Sequence, residues 1–274
     1  MTSIVKNITT HSDGVAVKLT AFIKDTYLPF STGVLFFILW EAAIRILEVP
    51  LYILPPPSTV FREFAANFGL IWHHTLVTAN ETIVGYAIAA VLGIPLAILV
   101  AFSEILRRTL YPAAVTLEMV PKIAFAPIFV IWFGFSFPAK MLVVFLVCFF
   151  PILINGIFGF MSLSTELKQF SLSTGADVWT TFWKIRLPAA LPQIFVGLKG
   201  AAVNATVGAT IAEWIGGNAG LGYYIQVASG EFKMELALAA IFMLTVLGLL
   251  VYFLVVLVEM RLMPWHESQR MDFR

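Results

Sequence analysis

A single cysteine, Cys148, excludes an intrachain disulfide, and its place inside an apolar run gives it no activating neighbour. Charge is scarce: Asp, Glu, Lys and Arg make up 12% of the 274 residues, about half the share of an ordinary globular domain. The formal net charge is +1, too little for a nucleic-acid partner. No Gly-x4-Gly-Lys-Ser/Thr run occurs, so no phosphate loop for ATP hydrolysis is present. The histidines, the cysteine and the carboxylates form no metal-ligand spacing. His73 and His74 are adjacent, and on a helix they point in different directions. Neither a bound metal nor an enzymatic active site is expected.

What the chain has is apolar residues, 60% of the total, with a mean hydropathy of +0.92. Several runs approach or exceed the ~20 residues that cross a hydrocarbon core. They are continuously apolar, whereas barrel strands alternate. The expected fold is therefore an all-α integral membrane protein with six transmembrane helices.

Residues 1–27 read as an N-terminal amphipathic segment, with Val15, Val17, Leu19, Phe22 and Ile23 on one face. Their charges, and the lack of a small-residue cleavage site after the first apolar run, argue against a cleavable signal. Residues 28–258 form the expected membrane domain and 259–274 a polar tail. Span 1 covers 28–47; Glu41 and Arg45, one turn apart near its end, either pair or snorkel. The prolines at 55–57 mark a stiff turn. Residues 59–75 predict a surface helix and 76–102 span 2, whose Gly85, Ala89 and Gly93 recur every four residues. Arg107 and Arg108 fall in a loop. Span 3, 111–135, holds Pro112, Pro121 and Pro127 and is expected to be bent or unwound. Span 4 covers 140–160, span 5 193–215 and span 6 235–258. A glycine-rich break at 216–222 and a short helical connection separate the last two.

Six spans put both termini, the 103–110 loop and the 161–192 stretch on one side. That side carries Lys6, Lys18, Lys24, Arg107, Arg108, Lys168, Lys184, Arg186 and three tail arginines, against Arg62, Lys140 and Lys233 on the other. The positive-inside rule makes the richer side cytoplasmic. The chain is expected in a bacterial cytoplasmic (inner) membrane, multi-pass, surrounded by lipid, with both termini in the cytoplasm.

The 161–192 stretch carries more order than a linker needs. Gly175 permits a tight turn, Asp177 is placed to cap a helix, and Val178, Phe182 and Ile185 give that helix an apolar stripe. Trp179, Phe182 and Trp183 suit a protein interface as well as they suit packing against the chain's own bundle, and Pro188 is expected to stop the helix. Gly175, Ala176, Ile185, Leu187 and Pro188 stand at the spacing of the cytoplasmic motif of ABC importer permeases, which reads Glu-Ala-Ala, three residues, Gly, nine residues, Ile-x-Leu-Pro. The opening departs, because Gln169, Phe170 and Ser171 replace Glu-Ala-Ala; Gln169 retains hydrogen-bonding capacity but supplies no charge. The runs at 54–60, 81–97, 120–140, 149–159 and 220–225 extend the resemblance. The chain is similar to the nitrate/sulfonate/taurine branch of these permeases, which also holds transporters of thiamine-precursor pyrimidines and riboflavin. Pro121-Lys122 is closer to the heterocycle-transporting members.

The resemblance implies a type I importer permease fold in a homodimer. Its short cytoplasmic coupling helix docks on one of two ATP-binding subunits, which use the ATP and Mg. A periplasmic or lipid-anchored binding protein delivers the solute, a small polar or anionic compound: a pyrimidine or vitamin precursor, or alternatively a sulfonate, taurine or nitrate. The coupling residues it implies are Gln169, Gly175, Ala176, Asp177, Val178, Trp179, Phe182, Ile185, Leu187 and Pro188.

Polar groups inside spans are candidates for the solute path: Glu118, Lys122, Trp132, Asn204, Thr206 and Thr210. Glu118 and Lys122, four apart, either neutralise each other or line the passage. Lys199 reads as a snorkelling residue. Glu213 with Gly216, Gly217, Gly220 and Gly222 forms a candidate outer gate, or the glycines form a plain loop. An ion-coupled secondary transporter is the alternative class, for which Glu118 is the only intramembrane acid singled out.

Overall fold

The computed structural model describes residues 31–163, 169, 173, 175 and 177–265, and the regular elements among them are all helical. In chain order they are α1 (31–46), α2 (Pro57–Ala66), α3 (Phe68–Phe102), α4 (Glu104–Met119), a 3-10 turn (Lys122–Phe125), α5 (Ala126–Phe133), α6 (Phe137–Met161), α7 (Val178–Gly216), α8 (Leu221–Gly230) and α9 (Met234–Leu262). Four of them, α3, α6, α7 and α9, are long and apolar enough to cross a membrane. α4 with Lys122–Phe133 makes a fifth, broken candidate, bent by 84°. The expected amphipathic segment 1–27 and most of the tail lie outside the described residues.

Small side chains set the centre of the bundle. The Gly85–Ala89–Gly93 face of α3 packs on Val144, Cys148 and Ile152 of α6, and Ala201, Ala205 and Ala209 of α7 complete the cluster. A Cβ on Gly85 would lie 2.6 Å from Val144 Cβ, so the two backbones approach as only glycine allows.

Several boundaries differ from the sequence expectation. The surface helix expected over 59–75 ends at Ala66. α3 starts at Phe68 and takes in Ile71 and Trp72, so it has 35 residues. At 1.5 Å per residue it runs about 52 Å, past a hydrocarbon core of about 30 Å. The break falls at Asn67, whose side chain donates to the Glu63 carbonyl and carboxylate. Arg107 and Arg108 lie within α4, where both pair with Glu104, and not in a loop. Span 3 breaks at Pro121, as its prolines predict. Val120 is extended ahead of the proline ring, and Lys122 donates to the Glu118 carbonyl at the C-terminal end of α4.

Glu41 and Arg45 do pair, at 2.6 Å. The Glu41 carboxylate also accepts from the Ser58 hydroxyl and backbone N–H at 2.8 and 3.0 Å. One residue of α1 thus satisfies an orphan donor at the start of α2, across the proline turn.

Candidate coupling and translocation sites

α7 begins outside the bundle and continues into it. Gly175 has φ +64°, the left-handed region that suits glycine, and among the described residues no atom stands within 4 Å of where its Cβ would be. Asp177 caps the helix, its carboxylate accepting from the Thr180 N–H at 3.4 Å. The Thr180 side chain is the main cause holding the Asp177 carboxyl below its ordinary value. From there the helix passes through one π-turn, Phe182–Arg186, and continues to Gly216. Pro188 does not stop it. The Leu187 N–H reaches back to the Phe182 carbonyl, and this widened turn admits a proline that cannot donate.

The expected stripe divides between two surroundings. Val178 and Trp179 are 83% and 68% exposed, and Trp183 is exposed beside Trp179. Phe182 turns inward and stacks on Phe160 while touching Phe102. The Arg186 guanidinium sits 4.7 Å from the Phe102 ring centroid. Ile185, Leu187 and Pro188 are half-buried, and Leu187 packs against the cluster of Phe160, Ala190 and Ile194. Gln169 is exposed; Ala176 lies outside the described residues. The segment therefore offers an exposed Trp–Trp surface on a helix anchored by an aromatic stack to α3 and α6.

The candidate path residues occupy different places. Lys122 pairs with Glu118 at 2.7 Å, and its ammonium lies 5.7 Å from the Phe150 ring centroid. Asn204 and Trp132 are exposed on the single chain. Thr206 and Thr210 are buried, and their hydroxyls donate to the carbonyls of Val203 and Thr206 on their own helix.

At the other end of α7, Glu213 is fully buried. One carboxylate oxygen accepts from the Thr78 hydroxyl at 2.7 Å and the other from the Gly222 N–H at 2.6 Å. Thr78 in turn accepts from the Leu221 N–H at 2.7 Å, and His74 Nδ1 from the Gly220 N–H at 3.1 Å. Gly220 has φ +113°, and a Cβ there would overlap the Glu213 carboxylate. A Cβ on Gly222 would lie 2.5 Å from the Thr210 carbonyl, one on Gly217 would overlap the Glu213 backbone, and one on Gly216 would lie 2.7 Å from Val130 Cγ2. Gly217, Gly220 and Gly222 are a consequence of how closely this loop wraps Glu213, and Gly216 of the close approach of α5.

Four residues around Glu213 escaped the sequence reading of the gate: His74, Thr78, Glu81 and Lys140. Lys140, expected at the start of span 4 on the non-cytoplasmic side, is 5% exposed and donates to Glu81 at 2.5 Å. The signal for Glu81 was present, as the only charged residue of α3. Lys199 does not snorkel freely but pairs with the buried Glu259 of α9 at 2.8 Å.

Residues 93–264 match the family model described as binding-protein-dependent transport system inner membrane component. The chain is 35% identical to the formylaminopyrimidine transport permease protein ThiX of Halalkalibacterium halodurans, over 85% of this chain and 93% of that one. It is 33% identical to the riboflavin transport system permease protein RibX of Chloroflexus aurantiacus, over 86% and 89%. It is also 30% identical to the taurine transport system permease protein TauC of Escherichia coli, over 85% and 87%. As a permease subunit it is non-catalytic, and its family depends on a separate binding protein and a separate ATPase. With an all-helical membrane fold, the motif spacing around Gly175 and these relatives in agreement, the chain belongs to the binding-protein-dependent inner membrane components and is a permease subunit of an ABC importer with the type I permease fold.

Proposed function

We propose that the chain works as a homodimer and passes a small heterocyclic solute, of the pyrimidine-precursor or vitamin class, from a binding protein to the cytoplasm. Each copy lays its Val178–Arg186 segment on one of two ATP-binding subunits, which hold the ATP and Mg. The observation that carries this reading is the Trp179–Trp183 surface, exposed at the outer end of a helix that runs unbroken into the bundle. Movement imposed on that surface reaches α3 and α6 through Phe182, Phe102 and Phe160 without crossing a flexible hinge. The membrane domain of residues 28–258 has both termini and the coupling segment in the cytoplasm. Lys122, Glu118, Asn204 and Trp132 edge the solute path near the dimer axis, and the Glu213 loop closes its outer end. Thr206 and Thr210 support the wall of that path from within the bundle.

The heterocycle assignment rests on the higher identity to the formylaminopyrimidine and riboflavin relatives than to the taurine relative. In the reconstituted importer, Trp179→Ala with Trp183→Ala should abolish transport and solute-stimulated ATP hydrolysis while the permease still folds. Unchanged coupling in that variant refutes the docking surface. Uptake competed by a pyrimidine precursor or a flavin supports the solute class; competition by taurine or nitrate alone refutes it.

A further inference from the structure

Three charged side chains from three helices meet where α3, α6 and α7 pack together. Glu81 is 1% exposed, Glu213 0% and Lys140 5%. Lys140 donates to one oxygen of Glu81, and the other Glu81 oxygen is buried without a donor among the described residues. Thr78, three residues before Glu81 on α3, donates to Glu213, so the two buried carboxyls share one side of the α3–α7 contact and interact. Both Glu213 oxygens are already engaged, by Thr78 and by the Gly222 N–H.

The other titratable groups at this cluster do not supply a second positive charge. From α3, His74 accepts the Gly220 N–H on Nδ1, so that nitrogen carries no proton and the ring is neutral. His73 lies edge-on to His74, and α8 adds Tyr223 and Tyr224, both against the His74 ring. α6 offers Lys140 and α7 offers Glu213. Two carboxyls and one ammonium leave an excess negative charge if both acids ionise, in a setting where an uncompensated ion is heavily penalised.

We propose that this cluster is a proton-binding site, with one proton held between the Glu81 and Glu213 carboxyls and keeping the Gly220–Gly222 loop closed on α3. The proton cancels the excess charge and gives the second Glu81 oxygen a partner. It leaves the lone pairs that Thr78 and Gly222 use on Glu213 undisturbed. Loss of the proton sets two carboxylates against each other, and Glu213 is the one that moves, because its hold is a loop and not an ion pair. The Gly222 amide is then released, and Thr78, which holds the neighbouring Leu221 amide, loses its carboxylate acceptor.

The sign of the pH dependence follows. Above the ordinary carboxyl range the unfolded chain has released this proton and the native state has not. The native state therefore binds one proton more, and its stability falls as pH rises until the site itself deprotonates. Over that window one linked proton changes the unfolding equilibrium constant tenfold per pH unit.

Infrared difference spectroscopy of the whole importer, in water and in deuterium oxide, tests the occupant directly. A protonated-carboxyl carbonyl band is expected in the native protein, lost in Glu213→Gln and in Glu81→Gln, and kept in the surface control Glu231→Gln. The alkaline fall in melting temperature should also flatten in Glu213→Gln, which keeps the shape of the site without its excess charge. Absence of the band, or its survival in both cluster variants, overturns the proposal. Melting that depends on sodium or potassium, with no acid band, also overturns it by assigning the balancing charge to a metal cation. If neither glutamine variant folds, the band and the alkaline slope of the native protein decide the matter by themselves.

Discussion

Replacing Gly220 by alanine perturbs the loop over Glu213 at its tightest point. The residue sits at φ +113° and ψ 165°, a region open to glycine but not to other L-residues, and its Cβ would overlap the Glu213 carboxylate. Holding a non-glycine residue in such a conformation costs about 1–3 kcal/mol. Displacing Glu213 also weakens the bond it accepts from the Gly222 N–H, and a hydrogen bond to a charged or strongly polar group contributes about 1.5–3 kcal/mol. Together they come to about 2.5–6 kcal/mol, concentrated in one loop. At ~1.4 kcal/mol per factor of ten, local opening becomes roughly a hundredfold to ten-thousandfold more frequent. Hydrogen exchange read by mass spectrometry over 217–225 measures that opening, with a peptide from the middle of α9 as internal reference. The expected result is fast exchange in the loop peptide and an unchanged α9. Equal exchange in both proteins would refute the idea that the Glu213 contacts hold the loop.

Gly85→Leu forces a side chain into the space held by Val144 and should lower stability by about 1–3 kcal/mol, read as a fall in melting temperature. Lys199→Met leaves Glu259 buried without its ammonium and should cost about 1–3 kcal/mol, less than a fully buried pair because Lys199 is partly exposed. The double variant with Glu259→Leu should recover most of that loss. The Asp177 cap works as a carboxylate whose folded value is depressed, so its contribution is present above the ordinary carboxyl range. It is lost as pH falls through the lowered value. Asp177→Asn should make exchange protection of the Thr180 amide independent of pH in that acid range.

The helices were legible because a membrane span needs a long apolar run, and the runs are long. The close face of α3 was legible for the same kind of local reason: Gly85, Ala89 and Gly93 repeat at the helical period. Glu118 and Lys122 stand one turn apart, and their pairing was one of the two readings the spacing left open. The Glu81–Lys140–Glu213 cluster was not, since its members are separated by 59 residues or more and meet only once three helices have fixed their rotations. The same limit hid the Lys199–Glu259 pair, whose members stand 60 positions apart. Pro188 misled for a different reason. Its missing N–H does break an α-helical bond, but a single π-turn at Phe182–Arg186 absorbs the loss and carries the helix through.

The continuity of α7 from Val178 to Gly216 gives the coupling proposal its physical content, because a rigid rod transmits a push that a linker would dissipate. A photoactivatable crosslinker placed at Trp179 in the intact importer tests that proposal most directly. The account predicts a crosslink to the ATP-binding subunit, with a yield that changes when ATP is added. Crosslinking confined to lipid or to the chain's own helices would contradict it.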